Sequence, residues 1–252
     1  MNQIRKEKIK QYIQEKGAVS VKEINSLFPE VSLMTIHRDL DKLEQEGSII
    51  RTRGGAMPGK RQLSATETHL ESRIGENMKG KGIIAKKAID LIAKGSAVFF
   101  DAGTTALMLA NELPDINLNI FTTGPNIALA LSRLNNPSIY LCGGTLNKTN
   151  QAVSGPGTLS VLENINIAIA FVGVSGYAEE SGFSCGKEDE MLVKRLVMEK
   201  AIKKVILMDS SKYGKVLPYT FGNIEDADYI ISDGKLPEEF VRKAEEVGTI
   251  VL

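Results

Sequence analysis

From residue 79 onward the chain repeats one pattern: a short apolar run, a cluster of small and polar residues, then an amphipathic stretch. The apolar runs cover 97–100, 119–121, 138–141, 167–172, 204–208 and 229–231. Each run reads as a strand that ends in a polar loop and is followed by a helix. Parallel strands covered on both sides read this way, and each needs a crossover to reach the next. Helices predicted over 83–93 and 188–201, with others after residues 105 and 126, supply crossovers. The expected fold of this part is a doubly wound, mostly parallel α/β sheet.

An open parallel sheet takes its ligands beyond the C-terminal ends of its strands. There the sequence places Asp101-Ala-Gly-Thr-Thr105, Thr122-Thr-Gly-Pro-Asn126, Gly143-Gly144, Gly173-Val-Ser-Gly176 and Asp209-Ser-Ser-Lys212. Gly103 lets the backbone come close to a ligand. Thr104 and Thr105 stand where a helix begins, whose unpaired amides and dipole suit an anion, with Asp101 just before them. Thr122, Thr123 and Asn126 make a second such turn, with Pro125 at the first helical position. Gly144, Gly173, Ser175 and Gly176 are expected to line the floor. Lys187, Glu190, Lys194 and Lys212 supply charge for a phosphate or for polar hydroxyls. Any one of these turns alone is more often just a turn, and 188–194 alone reads as a solvated helix face. Their concentration at strand ends is the signal.

The first residues follow a different plan. Ile4, Ile9 and Ile13 are spaced for a helix over 4–15 that Gly17 ends. Ser20-Val-Lys-Glu23 is a capping box, with Val19 and Ile24 as its staple. Ser32 is placed to cap a third helix over 33–46, stopped by Gly47. Leu33, Ile36, Leu40 and Leu43 form its apolar stripe; Thr35, Arg38 and Lys42 lie opposite. A strand over 49–53 with Gly54-Gly55 as its turn completes a helix-turn-helix with a wing. Such a unit puts its last helix in the major groove and grips flanking phosphates. Thr35, Arg38 and Lys42 are candidates for base edges, with Ser32 and His37 at the margin. Arg51, Arg53 and the amides of Gly54 and Gly55 are candidates for phosphates.

Charge supports a division of labour. Residues 1–62 hold 12 Lys and Arg against 8 Asp and Glu, a net +4, and the remainder of this neutral chain is net −4. A basic head on an acidic body steers nucleic acid to the head alone. Residues 58–78 lack a sustained apolar stripe and read as a linker with a short helix, separating a DNA-binding domain over 1–57 from an effector domain over 79–252.

Three motifs, Val19-Ser-Val-Lys-Glu-Ile24, Val31-Ser-Leu-Met-Thr-Ile-His-Arg-Asp-Leu-Asp-Lys-Leu-Glu-Gln-Glu-Gly47 and Arg53-Gly-Gly-Ala56, together resemble the signature of DeoR-type bacterial transcriptional regulators. Two departures stand out: His37 replaces the first of two consecutive arginines, and the turn at 28–32 is one residue longer. The stretch 81–234 resembles the same family's sensor domain through Phe100-Asp-Ala-Gly-Thr-Thr105, Gly143-Gly144, Val172-Gly-Val-Ser-Gly176, the Glu190 to Lys194 spacing and Asp209-Ser-Ser-Lys212. The resemblance implies a body folded like ribose-5-phosphate isomerase that binds a phosphorylated sugar, operator DNA as partner of the head, a repressor of carbohydrate genes, and a homodimer or homotetramer.

Residues 1–10 lack the apolar core of a secretory leader, and no apolar run reaches membrane-spanning length, so a cytoplasmic protein is expected. Cys142, Cys185, His37 and His69 form no metal or disulfide spacing; neither metal nor cofactor is expected. The rival reading is a sugar-phosphate isomerase with a fused head. Isomerases of this fold carry an acidic cluster after the strand that here runs to Gly176, where this chain has Tyr177-Ala-Glu-Glu180. A DNA-binding architectural protein that senses nothing would have little use for so many polar loops at strand ends.

Overall fold

The computed structural model describes residues 2–46, 48–59, 62–63 and 67–252. Gly47, expected to stop the third helix, and residues 60–61 and 64–66 of the expected linker lie outside the described residues. The head is built from α1 (Asn2–Lys16), β1 (Val19–Ser20), α2 (Val21–Ser26), α3 (Leu33–Gln45), β2 (Ile49–Thr52) and β3 (Gly55–Pro58). The strands form an antiparallel sheet in the order β1-β3-β2. The capping box forms: the Glu23 amide donates to Ser20 Oγ at 3.2 Å and the Ser20 amide to Glu23 Oε2 at 2.7 Å. Ile9, Ile13, Ile24, Ile36, Leu40 and Leu43 close the core.

Three expectations for the head need correction. The helix over 4–15 begins at Asn2, with Ile4 66% exposed, and Leu33 is 49% exposed, so the α3 stripe enters the core one turn later than its spacing suggests. The wing turns at Arg53-Gly54, with Gly54 at φ +93°, and Gly55 already belongs to β3. A Cβ on Gly55 would lie 2.1 Å from the Val19 carbonyl oxygen; only glycine lets β1 approach there.

The expected linker is partly built into the body. β4 (Gln62–Leu63) pairs in parallel with β14 (Lys215–Val216), and α4 (Leu70–Ile74) is the expected short helix. α5 (Met78–Ile89) starts earlier than expected, after Asn77 in a left-handed conformation.

The body's central sheet contains β5 (Ala97–Phe100), β6 (Asn119–Thr122), β7 (Ser138–Leu141), β10 (Ile167–Gly173), β13 (Ala201–Leu207), β16 (Tyr229–Ile231) and β17 (Ile250–Val251). The order is β17-β16-β13-β10-β5-β6-β7 and every pairing is parallel. Alternate side chains of each strand enter different cores: Phe99, Ala170, Val172 and Ile206 on one face, Val98, Phe100, Phe171 and Val205 on the other. The second face is covered by α5, α6 (Thr104–Glu112) and α7 (Pro125–Leu131). The first is covered by α8 (Pro156–Glu163), α9 (Glu188–Lys200) and α10 (Glu238–Glu246). On that side lies a small sheet, not foreseen from the sequence, of β11 (Gly176–Ala178), β12 (Gly182–Cys185) and β15 (Tyr219–Gly222); β8 (Thr145–Asn147) and β9 (Ala152–Ser154) make a hairpin. Met57 from β3 is buried in this same core, which fastens the wing to the body.

The chain runs outward from β5 to β7, then returns to lay β10 on the other side of β5. The switch point of the topology is therefore between the ends of β5 and β10, where open parallel sheets place their crevice.

Candidate functional site

Two surfaces carry the candidate residues. On the head, Ser32 Oγ accepts from the Thr35 amide at 3.3 Å and contacts Thr35 Oγ1 at 2.9 Å, so Ser32 serves as the α3 cap. Arg38, Lys42 and Arg53 are exposed, and none makes an ion pair or side-chain hydrogen bond with the described residues. They form a free cationic face along α3 and the wing tip. Arg51 is different. Its Nη1 donates to Asp41 Oδ1 at 2.5 Å, its Nη2 lies 3.0 Å from His37 Nδ1, and its amide donates to Glu44 Oε1 at 2.7 Å. Arg51 pins the wing to α3 and, in this arrangement, is not a free phosphate donor; His37 is its partner. Gly54 stays exposed, whereas Gly55 is buried in the ladder. Asp39, on the inner side of α3, pairs with Arg5 Nε at 2.6 Å and ties α3 to α1.

In the body, the crevice at the switch point is lined by Gly103, Thr104, Thr105, Gly173, Ser175, Glu190, Lys194 and Lys212, all expected from the sequence. Behind it stands a buried cluster. Asp101 Oδ2 accepts from the Gly173 amide at 2.9 Å and from Lys194 Nζ, which also donates to the Gly173 carbonyl at 2.9 Å and lies 3.3 Å from Glu190 Oε1. Burial works against the Lys194 charge, but Asp101 and Glu190 outweigh it and hold its pKa above the usual lysine value. Burial pushes Glu190 up despite Lys194, with Glu67 and Asp101 adding repulsion. The ammonium thus clamps the end of β5 to the end of β10 and fixes the shape of both loops.

Other expected ligands stand elsewhere. Asp101 lies behind the crevice wall, its carboxylate engaged by Gly173 and Lys194. Thr122 and Thr123 are buried, and Thr122 Oγ1 accepts from the Gly124 amide. Asn126 Oδ1 accepts from the Ile127 amide within its own turn. A Cβ on Gly144 would meet Thr158 Oγ1, and one on Gly176 the Lys215 carbonyl oxygen; both glycines serve packing. Lys187 is exposed at the start of α9 and is not among the crevice residues.

Three polar crevice residues were not foreseen. Asn150 donates to Glu190 Oε2 at 2.8 Å. Glu67 Oε1 accepts from Arg73 Nη1 at 2.6 Å and from the Ser175 hydroxyl. Arg73 lines this crevice and an adjoining cavity of about 250 Å³, whose walls include Gln14, Glu15, Lys212 and Lys215. No motif marks Glu67, Arg73 or Lys215; a lone arginine in 70–74 of an apparent linker carries no periodic signal.

The loop after β13 joins the two surfaces. Burial opposes the Asp209 charge, but Lys212 and donors from Ser211 and Asn77 hold its pKa below the usual carboxylate value. Ser211 packs against Gly17 at the end of α1, so closely that a Cβ on Gly17 would fall 2.6 Å from Ser211 Cβ. One short loop therefore gives Lys212 to the crevice and Ser211 to the head.

The arrangement offers little for bond-making chemistry. Glu179 and Glu180, which stand where the isomerase reading needs its acids, are exposed and outside the crevice. Burial pushes the thiols of Cys142 and Cys185 up to about 11 and about 12, so neither is a thiolate near neutral pH. No cluster of metal-ligating side chains and no membrane-length apolar helix occurs among the described residues.

Comparison with known proteins agrees with the two-part plan. The model of the DeoR-like helix-turn-helix domain matches residues 5–62, and that of the DeoR C terminal sensor domain matches residues 76–234. The HTH-type transcriptional regulator GlpR of Haloferax volcanii is 34% identical across 98% of this chain and 96% of its own. The HTH-type transcriptional repressor GlcR of Bacillus subtilis is 31% identical across 90% of this chain and 86% of its own. The lactose phosphotransferase system repressor of Lactococcus lactis is 30% identical across 100% of this chain and 99% of its own. These three relatives are named as regulators or repressors, not as enzymes. Among solved structures, ribose 5-phosphate isomerase A of Methanocaldococcus jannaschii overlaps 53% of each chain at 18% identity and a TM-score of 0.38, too slight a likeness to carry weight.

Proposed function

The chain belongs to the DeoR family of transcriptional regulators, and from that premise we propose that it represses carbohydrate genes under the control of a phosphorylated sugar. In this reading it acts in the cytoplasm as a homodimer or homotetramer. The head binds operator DNA with Thr35, Arg38 and Lys42 toward the bases and Arg53 on a phosphate. The sugar phosphate enters the crevice between the ends of β5 and β10, its anion near the first turn of α6 and Lys212. The sense of regulation follows the relatives named as repressors.

The observation that carries the reading is the loop after β13. Lys212 faces the crevice while Ser211 touches the last turn of α1, so a ligand that moves this loop moves a support of the head. A ligand shifts the balance of head arrangements only by as much as it prefers one of them.

The test is a thermal-shift screen of phosphorylated sugars on the full chain, because a ligand of the folded state raises the melting temperature by mass action. A hit is then added to a gel-shift assay with DNA from upstream of the chain's own gene. The expected result is altered DNA binding in the wild type, none in Thr104→Ala, and an unchanged sugar. Turnover of the hit would favour the isomerase reading; a full response in Thr104→Ala would remove the crevice.

A further inference from the structure

Arg73 is nine-tenths buried, yet its Nε and Nη2 find no hydrogen-bond partner among the described residues. Its remaining nitrogen, Nη1, donates to Glu67 Oε1. Leaving guanidinium donors dry and unpaired is costly, and the group's planar fork fits an oxyanion with two or three oxygens better than one carboxylate oxygen. Glu67 itself belongs to the segment that joins head to body. It reaches into the crevice to accept from Ser175, on the loop after β10.

Glu67 also lines two neighbouring spaces. The strand-end crevice encloses only about 30 Å³, room for roughly two water molecules. The neighbouring cavity holds about 250 Å³. Both share Glu67, Arg73, Ser175 and Lys212 as walls. Withdrawing Glu67 would widen both, and the larger one would then present Arg73, Lys212 and Lys215 beside Glu15 and Glu76.

We propose that Glu67 is an internal stand-in for the phosphate of a ligand: its carboxylate holds the anion position on Arg73 and Ser175, and a phosphorylated ligand binds by displacing it. This rests on the crevice being the effector site and moves the phosphate within it from the first turn of α6 to Arg73 and Ser175. It also supplies a second route to the head. Glu67 follows β4, which pairs with β14, and Leu70 just beyond donates its amide to the Thr149 carbonyl at 2.8 Å. Pushing Glu67 out pulls on the chain that leaves the wing.

The test measures binding of inorganic phosphate to the full chain by titration calorimetry. If Glu67 fills the position most of the time, ligand affinity is reduced by the unoccupied fraction, and removing the competitor restores it. Glu67→Gln keeps a neutral acceptor and the fold while removing the competing charge; it should bind phosphate about tenfold more tightly than wild type. Glu67→Ala should do the same, and Arg73→Gln should lose binding. Wild-type binding that Lys212→Ala weakens, with no gain in either Glu67 variant, would overturn the stand-in and leave the effector site intact. No phosphate binding in any form, Glu67→Gln included, would overturn both. Should Glu67→Ala fail to fold by circular dichroism, Glu67→Gln decides alone.

Discussion

The head and the body use cations by opposite rules. Arg38, Lys42 and Arg53 on the head are exposed, with no charge partner among the described residues. Lys194 and Lys81 in the body are 2% exposed, and each is already engaged: Lys194 by Asp101 and Glu190, Lys81 by the Arg73 carbonyl. An exposed cation attracts any phosphate backbone and is screened by salt. A buried, engaged cation gives shape to a site and selects among ligands. The first suits a long polyanion read in many registers, the second a small ligand read once.

The comparison breaks most sharply at Lys194. Lys194→Met should cost about 3–5 kcal/mol in urea unfolding, because Asp101 is left buried without its counter-charge. Asp101→Asn together with Lys194→Met should recover most of that. A loss under about 1 kcal/mol would put this pair in the class of surface bridges.

Lys81 sharpens the same point through pH. Burial pushes its pKa down to about 8, although Asp209 nearby raises it. The folded protein then holds fewer protons than the unfolded chain between about pH 8 and 10.5, so this group's contribution to stability rises with pH through that window and is lowest below it. The gain is at most about 3 kcal/mol. Unfolding of wild type and Lys81→Met across pH 7–10 checks it: the rise should be missing from the variant.

On the head the effects are smaller and are read in DNA binding. Arg38→Ala should weaken operator binding by about 1–3 kcal/mol and relax base preference. Unchanged specificity would take Arg38 out of the reading face. Arg53→Ala should weaken all sequences alike and lower the salt slope by about one. Arg51→Ala should leave that slope unchanged and appear instead as a head less stable by about 1 kcal/mol or less, since its partners are Asp41 and His37.

Much of the architecture was legible because it depends on near neighbours. The capping box is a relation between Ser20 and Glu23, three residues apart. The runs 97–100, 138–141 and 229–231 became strands at those bounds because apolar runs ended by turn residues have few alternatives. The small sheet of β11, β12 and β15 was not legible: its strands are short, mix Gly with polar and aromatic residues, and β12 pairs with β15 from a distant segment. Leu33 keeps the apolar spacing of its helix yet lies outside the core, since periodicity marks a face but not where its neighbour ends.

The candidate crevice divides in the same way. Gly103, Thr104, Thr105 and Lys212 could be read from strand-end turn chemistry. Asp101 and Lys194 also stood out, but as ligand contacts, whereas the folded chain joins them to each other across 93 positions of sequence. Sequence alone determined the two-part plan, the parallel sheet and the end of the sheet that carries the polar turns, because periodicity and turn chemistry are local. Only the tertiary structure decided which charges remain free. Arg51 met Asp41, Lys194 met Asp101, and Glu67 met Ser175 over 108 positions, and a charge is available to a partner only when the fold has not already neutralised it.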